Sequence, residues 1–335
     1  MTDTIKQYDM TDDATRRKIF WLLQRLTSLS LWTRKRDAFA QFASAYEHAV
    51  NTWPVDDPEF IQGTHFPIIA DVLAAYDRGL TELARGSRLG WRSGGPFKHV
   101  YRQYHLLDAY FYPHPDYWDR GGQIAPYPPK IGALARLLHA SEYQMEYAPF
   151  DSGDRFGNLA QLRSARRLLS PDAYERNFHT LSYPVFPEEL PAVPKAVGPV
   201  IWTGRKVPCD GIWEPVVVGW SRPPGIVPIA VPGLRNGGCF NYFVRGTRAP
   251  NLTDDFPGLL VPTCWRLLWE DRRYVNGAVP DESQYFLEPR PVPQTSMNPV
   301  RILRRPGRIC AISRSAWRTK VKRGRIRHLR ITSSA

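Results

Sequence analysis

Apolar side chains recur at helical spacing through most of the first 180 residues. Ile19, Leu22, Leu23, Leu26 and Leu29 form one stripe, and Phe39, Phe42, Ala43 and Tyr46 continue it after a polar break near Ser28–Ser30. This predicts helical chain from about Asp13 to Asn51, with Thr11 and Asp12 as candidate N-caps and Pro54 and Pro58 at the exit. A second helix is predicted over about Pro67 to Arg85, where Ile69, Val72, Leu73, Tyr76, Leu80 and Leu83 share a face and Gly86 suits the C-terminal cap. A third starts at Pro96 and carries Phe97, Val100, Tyr101, Tyr104, Leu107 and Phe111. A fourth follows Pro128-Pro129, a fifth covers about Phe156 to Leu169, and a sixth opens at Ser170-Pro171. Five or six amphipathic helices imply an α-helical domain over residues 1–180.

The pattern then changes. Residues 1–180 contain 11 prolines and residues 181–299 contain 19. Proline at every third or fourth place over 181–198 prevents a regular helix, so this stretch reads as a linker. Short β-like runs follow at Val200–Thr203, Pro215–Gly219, Ile226–Val231, Cys239–Arg245, Cys264–Trp269 and Tyr285–Glu288. Cys209-Asp210-Gly211, Asn236-Gly237-Gly238 and Asn276-Gly277 supply turns between them. The expected class is α+β: a helical N-terminal domain, then a small antiparallel β-rich domain over 199–298.

Charge adds a third region. The chain has 335 residues and a formal net charge of +13. Residues 299–335 hold 12 Lys and Arg and no acid, leaving 33 basic and 32 acidic groups in the rest. The body is therefore close to neutral, and a nucleic-acid reading rests on the tail alone. For that tail three readings stay open: a phosphate-binding arm, a solvated or disordered extension, and a stretch translated out of frame. No run approaches eighteen apolar residues, and the polar, acidic start lacks the layout of an export signal, so a cytoplasmic location without membrane contact is expected. Cys209, Cys239, Cys264 and Cys310 form no CxxC pair and match no zinc spacing.

Chemical signatures are missing from the sequence. There is no GxSxG, HExxH, P-loop or GxGxxG pattern. The His- and aromatic-rich run from His99 to Trp118 reads as a packed helix, since His99 and His105 lie six residues apart on different faces. The acidic pairs Asp254-Asp255, Glu270-Asp271 and Asp281-Glu282 read as surface charge, with Glu270-Asp271-Arg272-Arg273 compensating itself. No catalytic residue, metal or cofactor is expected.

The β-rich part carries recognisable residues: Gly204-Arg-Lys-Val-Pro-Cys-Asp-Gly-Ile-Trp-Glu-Pro-Val216, Cys239-Phe-Asn-Tyr-Phe-Val-Arg-Gly-Thr-Arg-Ala-Pro250, Cys264-Trp-Arg-Leu-Leu-Trp-Glu-Asp-Arg-Arg-Tyr274 and Asn276-Gly-Ala-Val-Pro-Asp-Glu282. Together they resemble bacterial immunity proteins of families 71 and 72. The Pro-Cys-x-x-Gly-x-Trp unit of that pattern stands here with one residue fewer between Cys209 and Gly211. The resemblance implies a non-enzymatic protein that binds and neutralises a toxin delivered by polymorphic-toxin or type VI secretion systems. In that reading Cys209, Gly211, Trp213, Trp265 and Trp269 build the module, with Glu214 facing outward beside an edge-strand Pro215. Arg245, Arg248, Arg272, Arg273 and Tyr274 are the toxin-binding candidates, since Arg and Tyr dominate interface hot spots. The alternative is a nucleic-acid-binding protein that uses residues 299–335.

Overall fold

The polar break at Ser28 is a helix boundary. Helix α1 (Asp13–Leu26) and helix α2 (Leu29–Thr52) meet across Thr27 and Ser28. Asp12 caps α1, its carboxylate accepting from the Thr15 N–H at 2.8 Å. Ser28 caps α2 through Oγ, accepting from the Leu31 N–H at 3.2 Å. In the computed structural model the described residues are 8–57, 59–111, 129–142, 165–171, 183–196, 198–217, 235–236, 238–253, 260–261 and 263–287.

Helix α3 (Phe66–Ala84) ends as its sequence predicts. Gly86 takes φ +80°, its N–H reaches Leu83 O (2.9 Å), and the Ser87 N–H reaches Glu82 O (3.0 Å). This pair of bonds satisfies carbonyls that the helix end leaves open. Helices α4 (Pro96–Phe111), α5 (Pro129–Glu142) and the short α6 (Arg166–Leu169) follow. α2 packs on α3 and α5, and α4 packs on both of those. Of the expected fifth helix the described part holds α6, and the expected sixth lies outside the described residues beyond Pro171. Among the described residues no helix is long and apolar enough to cross a membrane.

Five of the described strands form an antiparallel sheet in which β1 (Val200–Trp202), β7 (Cys264–Glu270) and β2 (Gly211–Val217) are adjacent in that order. The far side of β2 pairs with β4 (Asn241–Phe243) at Gly211–Trp213 and with β3 (Arg235–Asn236) at Val216–Val217. Pro215 falls between these two pairings, where a missing N–H costs the ladder least. Strand β5 (Leu252–Thr253) pairs with β6 (Leu260–Val261) as a separate two-stranded sheet. The expected Ile226–Val231 strand lies outside the described residues. Tyr285, expected to open a strand, instead closes a 3-10 turn over Ser283–Tyr285.

Alternation along β2 and β7 divides two cores. Ile212, Leu268, Tyr242 and Phe240 join the helices' core. Trp213, Trp265, Phe243, Leu267 and Val207 form a second cluster, with half-buried Cys209 and Ile201 packed against it. The register slips between Ile212 and Trp213, so Leu268 is an extra residue opposite β2. That slip turns both Leu268 and Trp269 toward the helices, where Trp269 meets Phe20 edge-on at 6.1 Å. The proline-rich stretch packs along α1: Phe186 contacts Trp21 at 5.2 Å, and Leu190 O accepts from Arg17 at 3.2 Å. Helices and sheet fall in one unit, Met1–Pro289, and Arg290–Ala335 lies outside the described residues.

Gly211 is where the sheet tolerates no side chain. A Cβ there would stand 2.1 Å from Trp269 O. Gly204, at φ +81°, has nothing within 4 Å of the same position. Gly211→Ala is therefore expected to cost about 2 kcal/mol or more, and Gly204→Ala only about 1 kcal/mol. Thermal unfolding of the two variants checks this, and equal midpoints would refute the close-approach argument.

Candidate functional site

The chain leaving β7 carries the sequence Glu270-Asp271-Arg272-Arg273-Tyr274, and alternate residues go to opposite places. Glu270 and Arg272 pair with each other at the surface (2.8 Å). Asp271 and Arg273 turn inward. Asp271 is fully buried and accepts from two guanidiniums: Arg88 through Nε (3.0 Å) and Nη2 (2.9 Å), Arg273 through Nε (2.9 Å) and Nη2 (2.7 Å). The Tyr242 hydroxyl donates to the same carboxylate at 2.9 Å. Remaining guanidinium N–H groups reach backbone carbonyls: Arg88 to Gly86 O and Arg273 O, Arg273 to Gln24 O and Thr27 O.

Burial alone would raise the Asp271 carboxyl, but the charge and hydrogen bonds of Arg273, then of Arg88, outweigh it and hold it below the usual range. Burial and the neighbouring Asp271 push the Tyr242 hydroxyl far upward, so it stays a donor. Arg273 is raised, its pairing with Asp271 exceeding the opposing effect of burial.

The next turn caps a helix. Tyr274 is 1% exposed and holds a left-handed backbone, φ 68°. Its hydroxyl donates to Glu282 and accepts from the Leu29 N–H (2.8 Å). The other Glu282 oxygen accepts from the Ser30 N–H (2.8 Å). Two N–H groups of the first turn of α2 are thus satisfied from the far end of the chain, with a carboxylate at the positive end of the helix dipole. Between these anchors, residues 275–281 are exposed, Val275 by 66% and Val279 by 50%.

The toxin-binding candidates divide by place. Arg245, Arg248 and Arg272 are exposed, whereas Tyr274 is buried and Arg273 nearly so. Arg245 and Arg248 sit on the turn after β4, and Arg272 on the chain after β7. Trp213 and Trp265 are fully buried, and Trp269 is partly so. The acidic pairs are not simply surface charge: Asp271 and Glu282 are buried, while Glu270 and Asp281 are exposed. Asp254-Asp255 lie outside the described residues. Glu214 does not face outward either. It is buried on the helix side of the sheet, where it pairs with Arg266 (Nε, 2.8 Å) and Arg16 (3.4 Å). β2 is a central strand, so its helix-facing positions are covered. Arg88 had no signal in its local sequence, because only the fold brings it to Asp271.

Burial, with Glu270 and Asp210 nearby, raises the Cys209 thiol to about 11. Burial likewise raises Cys239 and Cys264. Among the described residues no group of three or more His, Cys, Asp and Glu is placed to hold a metal ion. His99 bonds Asp71, and His105 lies edge-on to Tyr101 at 4.3 Å.

Residues 10–91 match the family model of Immunity protein 71, and residues 192–287 match that of Immunity protein 72. Both segments match immunity-protein families. No curated protein and no solved structure gives a match. The Arg88–Asp271 pair therefore joins the Immunity protein 71 segment to the Immunity protein 72 segment. Arg273 on Thr27, Tyr274 on Leu29, Glu282 on Ser30 and Arg16 on Glu214 join them as well. The matches point to a protein that neutralises a toxin.

Asp271→Asn leaves two buried guanidiniums without their anion and is expected to cost at least about 3 kcal/mol. The folded Asp271 carboxyl titrates below that of an unfolded aspartate. Its contribution is thus complete above about pH 4 and is lost as pH falls through the folded value. Denaturant midpoints for wild type and Asp271→Asn, measured from neutral pH downward, should converge in acid. A variant within about 1 kcal/mol of wild type at neutral pH would refute the role given to Asp271.

Proposed function

We propose that this protein is a non-enzymatic inhibitor that protects the cell producing it by binding a cognate secreted toxin in the cytoplasm and covering its active cleft. The observation that carries the reading is the pair of immunity-family matches, held in one folded unit by buried ion pairs. An inhibitor without catalysis acts by mass action, so it needs tight binding and slow release. Loops already fixed before binding lose little entropy on docking. Arg272 and residues 275–281 meet that requirement, being exposed between the anchors Asp271, Tyr274 and Glu282. Arg245 and Arg248 stand on a second short turn fixed by backbone bonds to the 204–207 segment. In this reading Arg245, Arg248 and Arg272 contact the toxin, and Arg273 and Tyr274 act as supports that hold Arg272 in place. Delivery of the toxin by a polymorphic-toxin or type VI system belongs to the same proposal.

Co-expression with candidate toxins taken from the genes that neighbour this one tests it. Cells should survive induction of the toxin only when this protein is present, and the purified pair should co-elute. Removal of residues 299–335 should leave binding and protection intact. A truncated protein that stays folded yet neither binds nor protects would place the inhibitory surface in the tail and refute this reading.

A further inference from the structure

Cations gather where two turns of the β-rich part meet. The segment Gly204-Arg205-Lys206-Val207 and the segment Arg245-Gly246-Thr247-Arg248-Ala249 are hydrogen-bonded to one another. Gly204 N–H reaches Ala249 O (2.7 Å), Val207 N–H reaches Thr247 O (2.8 Å), Gly246 N–H reaches Val207 O (2.8 Å), and Ala249 N–H reaches Arg205 O (2.8 Å). Lys206 and Arg248 are directly opposed. Arg205, Lys206, Arg245 and Arg248 are all exposed, and half-buried Arg92 approaches from the helical side. A Cβ built on Gly246 would stand 3.6 Å from Arg92 Nη1 and 3.7 Å from Lys206 Cε. The Gly246 backbone, at φ +85°, thus brings the three elements together.

Like charges at such spacing repel. Among the described residues no ion pair joins Arg92, Arg205, Lys206 or Arg245 to an acidic side chain. Asp210 Oδ1 accepts from the Arg245 backbone N–H (2.7 Å), and the Arg245 charge acts on that carboxylate without a direct ion pair. Arg248 donates from Nη1 to Gly204 O (3.0 Å). Some surface cations elsewhere are paired, as at Arg36 with Asp77, Arg17 with Asp13 and Arg272 with Glu270, but they are not gathered on one face. A basic cluster inside a body that is close to neutral marks a surface whose counter-charge comes from outside.

The geometry points to an acidic protein surface as the partner of Arg92, Arg205, Lys206 and Arg245; resting on the toxin-binding reading above, it is the toxin's docking face that supplies the Asp and Glu side chains. The patch is compact and confined to two paired turns, which fits a folded acidic face better than an extended phosphate backbone. Rim charges of this kind act chiefly on the association rate and its salt dependence.

The test uses the full-length protein and a candidate toxin taken from a neighbouring gene, inactivated in its active site. The triple charge reversal Arg205→Glu, Lys206→Glu, Arg245→Glu alters exposed side chains and keeps every backbone bond between the turns. A second triple variant, Arg78→Glu, Arg102→Glu, Lys195→Glu, changes the net charge equally at exposed positions elsewhere. Both should unfold at the wild-type temperature. The first should bind the toxin at least about tenfold more slowly than wild type and lose most of the salt dependence of the association rate, while the second stays close to wild type. If wild type binds and protects but the two triple variants associate equally fast, the acidic-face inference falls and the toxin-binding reading stands. If wild type neither binds nor protects, the toxin-binding reading falls and takes the inference with it. If the first variant keeps toxin binding yet loses retention of a double-stranded DNA oligonucleotide, the patch serves nucleic acid and the inference is overturned.

Discussion

Asp271 sits between Arg88 and Arg273 with no access to water, and the meeting of sheet and helices depends on that arrangement. Moving an ion into a protein interior is costly, and one carboxylate between two guanidiniums leaves a positive excess. The structure answers with hydrogen bonds. Both guanidiniums are forked onto the carboxylate, Tyr242 adds a hydroxyl, and carbonyls of Gly86, Gln24, Thr27 and Arg273 take remaining N–H groups. Such a network is a weak source of net stability compared with a well-packed apolar core. It is a strong source of specificity, because any slip of the 271–273 segment would bury unpaired charge.

The same network explains how an exposed loop can be fixed in place. The chain between Asp271 and Glu282 makes a left-handed turn at Tyr274 and a second at Gly277, both carrying a positive φ. Tyr274 and Glu282 grip the first turn of α2 from inside, while Gly86 leaves room for Val275 at a distance no Cβ could share. The cost of ordering residues 272–281 is thereby met during folding, which leaves less to lose when a partner docks. The tip stays exposed because nothing in the network needs its side chains.

Much of the architecture was legible in the sequence. Helix spacing, the capping residue Asp12, Gly86 at a helix end and the Asn276-Gly277 turn are local signals, and the local backbone obeys them; that the polar break at Ser28 caps a second helix came only from the structure. What could not be read is the burial of charge. Glu214 looks like an outward residue until β2 is known to be central, and Asp271 looks self-compensated by its neighbours until Arg88, 183 positions away, arrives beside it. Tyr285 looks like the start of a strand, yet Trp21 and the Arg25 guanidinium hold it in a tight turn. Of the five interface candidates, the alternation after β7 sends Arg272 out and Arg273 in, a difference that two adjacent arginines do not reveal by composition.

The joints between the two immunity-family segments carry one further consequence. Each segment presents to the other groups that cannot be left bare: Arg88 and the first turn of α2 on one side, Asp271, Arg273, Glu282 and Glu214 on the other. Apolar faces meet there too, with Phe20 against Trp269 and Trp91 against Tyr242. An apolar face exposed by separation is unfavourable in proportion to its area. A buried charge stripped of its partner is unfavourable in a more specific way, because it tolerates only a partner of opposite sign at the same place. The two segments are therefore matched to each other residue by residue. The exposed residues 204–206, 245 and 275–281 take no part in those joints, so a partner can meet them without parting the two segments.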